Sequence, residues 1–285
     1  MDNKAAVITG AGSGIGFQTA LELARLGFRV VLGVRTLEKG HMAAEKIRNA
    51  VRGADVVAWE LDLAARVSIE AFAAKVVHDF PALDVLVNNA GRMTSGFQTT
   101  EDGFEMQIGI NHFGHFLLTR LLMEPLERAS AARVITVASS AHYGGKIDFE
   151  RFRRDKGRYK GMAAYAQSKL ANVLFAGELA RRHPGLRSYS LHPGVVASRI
   201  VRGESQSWWL ALGWNLFKPF SFTPKRGAKT SVFLATVNPA PEPNGQYFDE
   251  YQHVMRPSAL ARDANLSREL WEVTERMWRE AGANF

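Results

Sequence analysis

The chain has 285 residues, 46% of them hydrophobic, a size and apolar share that suit one large single-core domain, expected to span residues 1–285. It contains no cysteine, which excludes disulfides, thiolate metal ligands and a cysteine nucleophile and leaves the redox compartment undecided. Its 36 Lys and Arg against 28 Asp and Glu give a net charge of +8, but the basic residues are scattered outside small clusters such as Arg151-Phe152-Arg153-Arg154 and Lys225-Arg226, which reads as solvated surface rather than a nucleic-acid face.

Met1-Asp2-Asn3-Lys4 enters an apolar run by Ala5 without the features of a signal peptide, and no stretch approaches about 18 uncharged apolar residues. A cytoplasmic protein without a membrane-spanning helix is expected. Residues 5–9 read as a strand, followed by a glycine turn, a helix over 14–26 and a second strand over 28–34. A helix over 37–51, a strand over 56–61, a helix over 67–80 stopped by Pro81 and a strand over 83–88 follow. The periodic segment 102–127 reads as one long helix, 134–139 as a strand, 163–183 as a helix and 187–191 as a strand. Past His192-Pro193-Gly194 the regularity fades, and residues 195–223 carry Trp208, Trp209, Trp214, Phe217, Phe220 and Phe222. A helix near 224–237, a short strand near 245–248 and a helix near 266–281 complete the chain, with no internal repeat or linker. Such alternation predicts an α/β fold with a parallel sheet covered on both faces, a single doubly wound Rossmann-type domain.

Thr9-Gly10-Ala11-Gly12-Ser13-Gly14-Ile15-Gly16 joins the first strand to the first helix. Glycines there permit a tight turn and close backbone approach, and a helix N-terminus offers free amides and a positive dipole end to a pyrophosphate. A glycine turn by itself is equally a tight connection; its place between strand and amphipathic helix favours the binding role, and no Gly-Lys-Ser/Thr follows to make a triphosphatase loop. The second strand ends Gly33-Val34-Arg35-Thr36, with no acid before Glu38 to accept from an adenosine ribose hydroxyl. Arg35, Thr36 and Lys39 instead suit a 2′-phosphate, so NADP is favoured over NAD, the plain alternative being a solvated arginine. Asp62, followed by Leu63 after the third strand, reads either as an acceptor for the adenine amino group or as a cap of the following turn. Asn88-Asn89-Ala90-Gly91 ends the fourth strand with small residues that let backbone approach a nucleoside. All four stretches fall at the carboxyl ends of predicted strands, where open parallel sheets bind ligands. Tyr165 and Lys169 lie four apart on a predicted helix, so phenol and ammonium share one face and the cation can favour phenolate. In isolation such a pair is an ordinary surface contact.

In order along the chain, Thr9-Gly10, Gly14-Ile15-Gly16, Asp62, Asn88-Asn89-Ala90-Gly91, Asn111, Ser139, Tyr165, Lys169 and Pro193-Gly194 make the chain resemble the short-chain dehydrogenase/reductase family over roughly residues 4–200. The runs Asn111-His112-Phe113-Gly114-His115-Phe116 and Ser168-Lys169-Leu170-Ala171-Asn172 are similar to its branch of retinol-dehydrogenase-like and WW-domain-oxidoreductase-like proteins, here without a WW domain. The resemblance implies a catalytic set of Asn111, Ser139, Tyr165 and Lys169. In it Tyr165 is the acid in carbonyl reduction and the base in alcohol oxidation, its phenol pulled below the ordinary value near 10 by Lys169 and the oxidised nicotinamide. Ser139, chosen over its neighbour Ser140 by the match of its strand, donates to the substrate oxygen. Lys169 holds the nicotinamide ribose, and Asn111 positions a water that relays protons through Lys169. Gly10, Ser13, Gly14, Ile15, Gly16, Asp62, Leu63, Asn89, Ala90, Gly91, Pro193, Gly194, Val196 and Ser198 complete the implied cofactor site, Ser198 standing where threonine is common. On that reading residues up to about 140 are mainly cofactor-binding, the remainder carries the catalytic helix and substrate loop, and no metal is expected.

One departure is the spacing from Ser139 to Tyr165, 165 − 139 = 26 residues, about twice the family's usual separation. An insertion within 143–162 is implied, with Arg151, Arg153, Arg154, Lys156, Arg158 and Lys160 in it, and it favours a monomer or homodimer over the family's tetramer. The aromatic stretch 205–223 sits in the family's substrate-loop region and reads as an apolar lid over a lipophilic carbonyl or alcohol, as a helix packed on the core, or as a peripheral membrane contact. The implied activity is NADP-dependent interconversion of a carbonyl and an alcohol. A dinucleotide-binding scaffold with little turnover and a redox-neutral isomerase or epimerase are the alternatives.

Overall fold

The computed structural model describes residues 4–154, 157–195 and 222–285. Its centre is an eight-stranded sheet in the order β3-β2-β1-β4-β5-β6-β7-β8, parallel except for the last pair. The strands are β1 (Ala5–Thr9), β2 (Arg29–Val34), β3 (Val56–Glu60), β4 (Val85–Asn88), β5 (Arg133–Val137), β6 (Arg187–Leu191), β7 (Tyr247–Phe248) and β8 (Val254–Met255). β1 lies between β2 and β4, so the chain winds outward first to one side and then to the other, and a crevice opens at the carboxyl ends of β1 and β4.

Successive β residues point to opposite faces, and both faces are buried, which is why the strands are nearly continuous apolar runs. Val7, Val31, Leu86 and Val134 face one core, with α3 (Arg66–Asp79), the segments between Met106 and Arg128, the helix Gly161–Arg182 and the C-terminal helix Ala264–Glu280. Ala6, Ile8, Val30, Leu32, Val87, Ile135 and Leu191 face the other, with α1 (Gly14–Arg25), α2 (Leu37–Ala50) and the helix Lys229–Thr236. The C-terminal helix buries Leu270, Trp271, Met277 and Trp278, each worth roughly 1.5–3 kcal/mol, and Trp278 donates its indole N–H to the Phe113 carbonyl at 2.9 Å.

The long helix expected over 102–127 is not one helix. Gly103 adopts a φ of +80° and Thr100 Oγ1 accepts the amide of Phe104, so the chain turns there and helix starts only at Met106, capped by the Glu105 carboxylate on the amides of Gln107 and Ile108. Gly109–Gly114 then widens to a π-helix, which carries Asn111. Regular helix resumes over His115–Leu121 and breaks before Met123–Arg128, because Pro125 cannot bond back to Leu121 and its ring crowds that carbonyl. The strand expected to reach residue 139 ends at Val137, and β8, which the sequence reading lacks, pairs antiparallel with β7. Lys156, Val196, Ser198 and the aromatic stretch up to residue 221 lie outside the described residues.

Candidate active site

Thr9 ends β1 and knots the crevice. Its hydroxyl accepts the amides of Asn89 and Ala90, each at 2.9 Å, and its carbonyl accepts Asn89 Nδ2 at 2.7 Å. The glycine turn packs directly on that knot. A Cβ on Gly10, whose φ is +67°, would lie 3.0 Å from Ala90 Cα, and one on Gly16 would lie 2.5 Å from Asn89 Nδ2. A Cβ on Gly14 would meet nothing within 4 Å, so this side of the α1 N-terminus is open, and Ser13 at the N-cap makes no capping hydrogen bond. Ile15 is buried behind the turn.

Arg35, Thr36 and Lys39 are exposed at the end of β2 and the start of α2, and no carboxylate pairs with either cation among the described residues. They adjoin the glycine turn, since a Cβ on Gly12 would lie 3.8 Å from Lys39 Cβ and 3.4 Å from Val34 Cγ1. Asp62 takes the capping position: its Oδ1 accepts the Ala64 amide at 2.9 Å while its own amide donates to Ser68 Oγ at 2.9 Å. Leu63 is buried, and its carbonyl approaches the π segment so closely that a Cβ on Gly114 would lie 2.6 Å away.

Ser139, at the end of β5, and Tyr165, in the first turns of the helix Gly161–Arg182, bring their hydroxyls together, so that the serine favours the ionised phenol. Ser139 Oγ also accepts the Ala141 amide at 3.2 Å, which leaves its O–H free to donate, whereas Ser140 is exposed. His142 holds the Ser139 backbone: its Nδ1 donates to the Ser139 carbonyl at 2.8 Å and its Nε2 accepts the Ser258 amide at 3.3 Å. Lys169 lies one helical turn beyond Tyr165, 2% exposed, with Nζ 5.7 Å from the tyrosine ring centroid and donating to the Val137 carbonyl at 3.0 Å. Among the described residues no carboxylate pairs with it, and burial pulls its pKa down to about 8. Asn172 donates to the same carbonyl at 3.2 Å.

In the protein without a cofactor, burial raises the Tyr165 pKa above the ordinary value, and the Ser139 hydroxyl pulls less strongly the other way. The lowering expected from Lys169 together with an oxidised nicotinamide concerns the cofactor-bound site.

Asn111 is fully buried, and its side chain is committed. Nδ2 donates to the Arg92 carbonyl at 3.0 Å and to Ser168 Oγ at 2.9 Å, and Oδ1 accepts the Arg92 amide at 2.7 Å. This ties the helix bearing Tyr165 to the chain just beyond Gly91. Pro193 and Gly194 follow β6 at the same edge; Gly194 has a φ of +73°, and a Cβ there would lie 2.6 Å from the Phe222 ring. The Phe222 amide donates to the Val195 carbonyl at 2.8 Å.

The inserted region is anchored rather than loose. Tyr159 donates to the buried carboxylate of Glu105 at 2.7 Å and accepts from Gln107 Nε2 at 2.7 Å, and burial pushes its phenol up to about 12. Arg153 pairs with Glu280 and with the Met277 carbonyl, and Arg151 pairs with Asp148, so part of the insertion's basic character is spent on internal contacts. Residues to which the sequence reading gave no role hold this site: Ser168, Asn172, His142 and His115. All but His142 lie in the two runs that carry the branch resemblance.

The edge thus gathers a glycine turn, two exposed cations, small strand ends and a hydroxyl pair beside a buried ammonium. The family model of the short chain dehydrogenases matches residues 4–208. Human retinol dehydrogenase 11 is 43% identical over 276 residues, covering 96% of this chain and 85% of that protein, and human retinol dehydrogenase 13 is 42% identical, covering 96% and 84%. Among solved structures, a protein of Mycobacterium paratuberculosis is 36% identical with a TM-score of 0.78, covering 97% of this chain and 93% of that one. Another, from Beutenbergia cavernae, described as an NAD(P)-dependent gluconate 5-dehydrogenase and holding NADP at low occupancy, is 27% identical with a TM-score of 0.67, covering 87% and 94%. The chain therefore belongs to the short-chain dehydrogenase family of oxidoreductases, in its retinol-dehydrogenase-like branch.

Proposed function

We propose that this protein uses NADP to interconvert a lipophilic carbonyl compound and its alcohol. The observation that carries the reading is the Ser139–Tyr165 hydroxyl pair with the Lys169 ammonium buried one turn away. A nicotinamide dinucleotide supplies or accepts the hydride. The residues present fit such a group: the open side of Gly14 receives the pyrophosphate, Ala90 and Gly91 leave room for a nucleoside, Asp62 lies at the adenine end, and Pro193 and Gly194 flank the nicotinamide end.

Arg35 and Lys39, exposed and unpaired beside the glycine turn, favour a 2′-phosphate and hence NADP. In reduction, Ser139 donates to the carbonyl oxygen as negative charge gathers there, and Tyr165 delivers the proton that completes the alcohol. Lys169 sets positive charge beside the phenol, and its pKa of about 8 lets it pass a proton near neutral pH. The lipophilic substrate class follows from the names of the retinol dehydrogenases that this chain resembles.

Thermal-shift titration with NADPH and NADH, followed by a panel of aldehydes that includes retinal and short polar compounds, tests this reading. Stabilisation by NADPH and turnover of the lipophilic members are expected. Stabilisation by NADH alone would overturn the role of Arg35, and tight NADPH binding without any turnover would favour a scaffold.

A further inference from the structure

His115 stands four residues after Asn111, at the point where the π segment returns to regular helix, and its imidazole is 1% exposed. Nδ1 lies 3.0 Å from the Asn111 carbonyl oxygen, and Nε2 lies 2.8 Å from Thr9 Oγ1. A carbonyl only accepts, so Nδ1 carries the hydrogen. Thr9 Oγ1 already accepts two amides, which fills both lone pairs and leaves its own proton to be donated. Nε2 at 2.8 Å is a far better acceptor for it than the Val87 carbonyl at 3.4 Å. The imidazole is thus a neutral Nδ1–H tautomer, and its second nitrogen fixes the direction of the Thr9 hydroxyl. Burial lowers its pKa to about 4, and the Lys169 ammonium pushes the same way; His112, the other ionisable group facing it, is neutral as well.

We infer that His115 is a positioning residue that clamps the Asn111 main-chain carbonyl to the Thr9 knot, so that the proton path beside Lys169 and the cofactor-binding strand ends share one fixed geometry. The inference rests on the carbonyl–alcohol chemistry proposed above. Asn111 has spent its side chain on Arg92 and Ser168, so its main-chain carbonyl is the polar group whose direction His115 sets. Single π turns inside a helix are rare and frequently mark functional sites. An apolar side chain in its place would remove the donor to the Asn111 carbonyl and leave the Thr9 proton only the longer contact to the Val87 carbonyl.

Two measurements on the full-length protein test this. Nitrogen-15 NMR of the histidines should show His115 as a non-titrating Nδ1–H tautomer from about pH 5.5 to 8. An Nε2–H tautomer, or titration inside that window, overturns the inference whether or not the protein turns over any carbonyl, so its failure is distinguishable from failure of the proposed function. With NADPH and an aldehyde, His115→Phe should lower kcat at least about tenfold while KM stays within about threefold, and the solvent deuterium isotope effect on kcat should rise as proton transfer becomes limiting. His115→Gln, which keeps one donor and one acceptor, should recover part of the rate. A His115→Phe protein that melts earlier but keeps its kcat, pH profile and isotope effect would reduce the residue to packing. If that variant does not fold, His115→Asn decides, because its shorter side chain cannot span both contacts and an unchanged rate and isotope effect in it overturns the clamp.

Discussion

The rim at the end of β2 and the centre at the ends of β4, β5 and β6 are both made of motif residues on one sheet edge, yet they are held in opposite ways. At the centre, Asn111, Lys169 and Thr9 are buried, and almost every polar atom they carry is spent on a named partner within about 3 Å. At the rim, Arg35, Thr36 and Lys39 are exposed and pair with nothing charged among the described residues. The centre is fixed by the fold before any ligand arrives, whereas the rim supplies charge at an address and leaves the geometry to the ligand. Substitution should therefore be steep at the centre and graded at the rim.

The largest contrast is expected at Tyr165. Tyr165→Phe should cut turnover by about 10²–10⁴-fold while NADPH still raises the melting temperature, and unimpaired turnover would remove the proposed acid. Next comes the acid stability of the buried centre. His115 is drawn from 6.5 to about 4 and His112 from 6.5 to about 3, so each folded-state pKa lies below its unfolded value. As pH falls below about 6.5 the unfolded chain takes up protons that the folded chain refuses, so stability is intact above that pH and declines toward pH 4. For His115 alone the full loss is roughly 3 kcal/mol by linkage. Melting curves across that range should steepen in the wild type and flatten in His112→Phe; parallel curves would contradict the burial of a neutral imidazole.

At the rim, Arg35→Ala should weaken NADPH binding by about 1.5–3 kcal/mol, ten- to a hundredfold, and leave NADH binding nearly unchanged, as calorimetric titration would read. Equal losses for both cofactors would mean that the arginine does not sense the 2′-phosphate. The smallest expected effect joins the two regimes. Tyr159→Phe removes the donor to the buried Glu105 carboxylate and should cost about 1–3 kcal/mol in denaturant unfolding, with kcat changed less than at Tyr165. No loss of stability would mean that the insertion is not anchored through that network.

Much of this was legible in the chain. The glycine turn, the strand-end asparagines and the tyrosine–lysine pair stood out by spacing and position and the serine by the family resemblance, and the structure brings them to one edge because short apolar runs alternating with amphipathic helices admit few other arrangements. Ser139 over Ser140 was readable from the match of its strand to the family's, and the Tyr165 contact agrees with it. Less legible was anything decided between distant segments. The helix around Asn111 read as continuous because hydrophobic spacing barely distinguishes an α from a π turn, and β8 is too short and too exposed to announce itself. The rise of the phenol's pKa without a cofactor was not legible, since spacing reports the nearby lysine but not the loss of water around both groups.

By itself, the sequence determined the doubly wound sheet, the family and the residue types at the reactive edge, because these depend on periodicity and on chemistry carried by single side chains. Only the tertiary structure decided how Asn111 is used, which imidazole nitrogen bears a proton, and how far burial moves each ionisable group. Those properties depend on which polar atoms from segments about 80 to 106 positions apart, such as Thr9 with Asn89 and with His115, are brought within hydrogen-bond reach away from water.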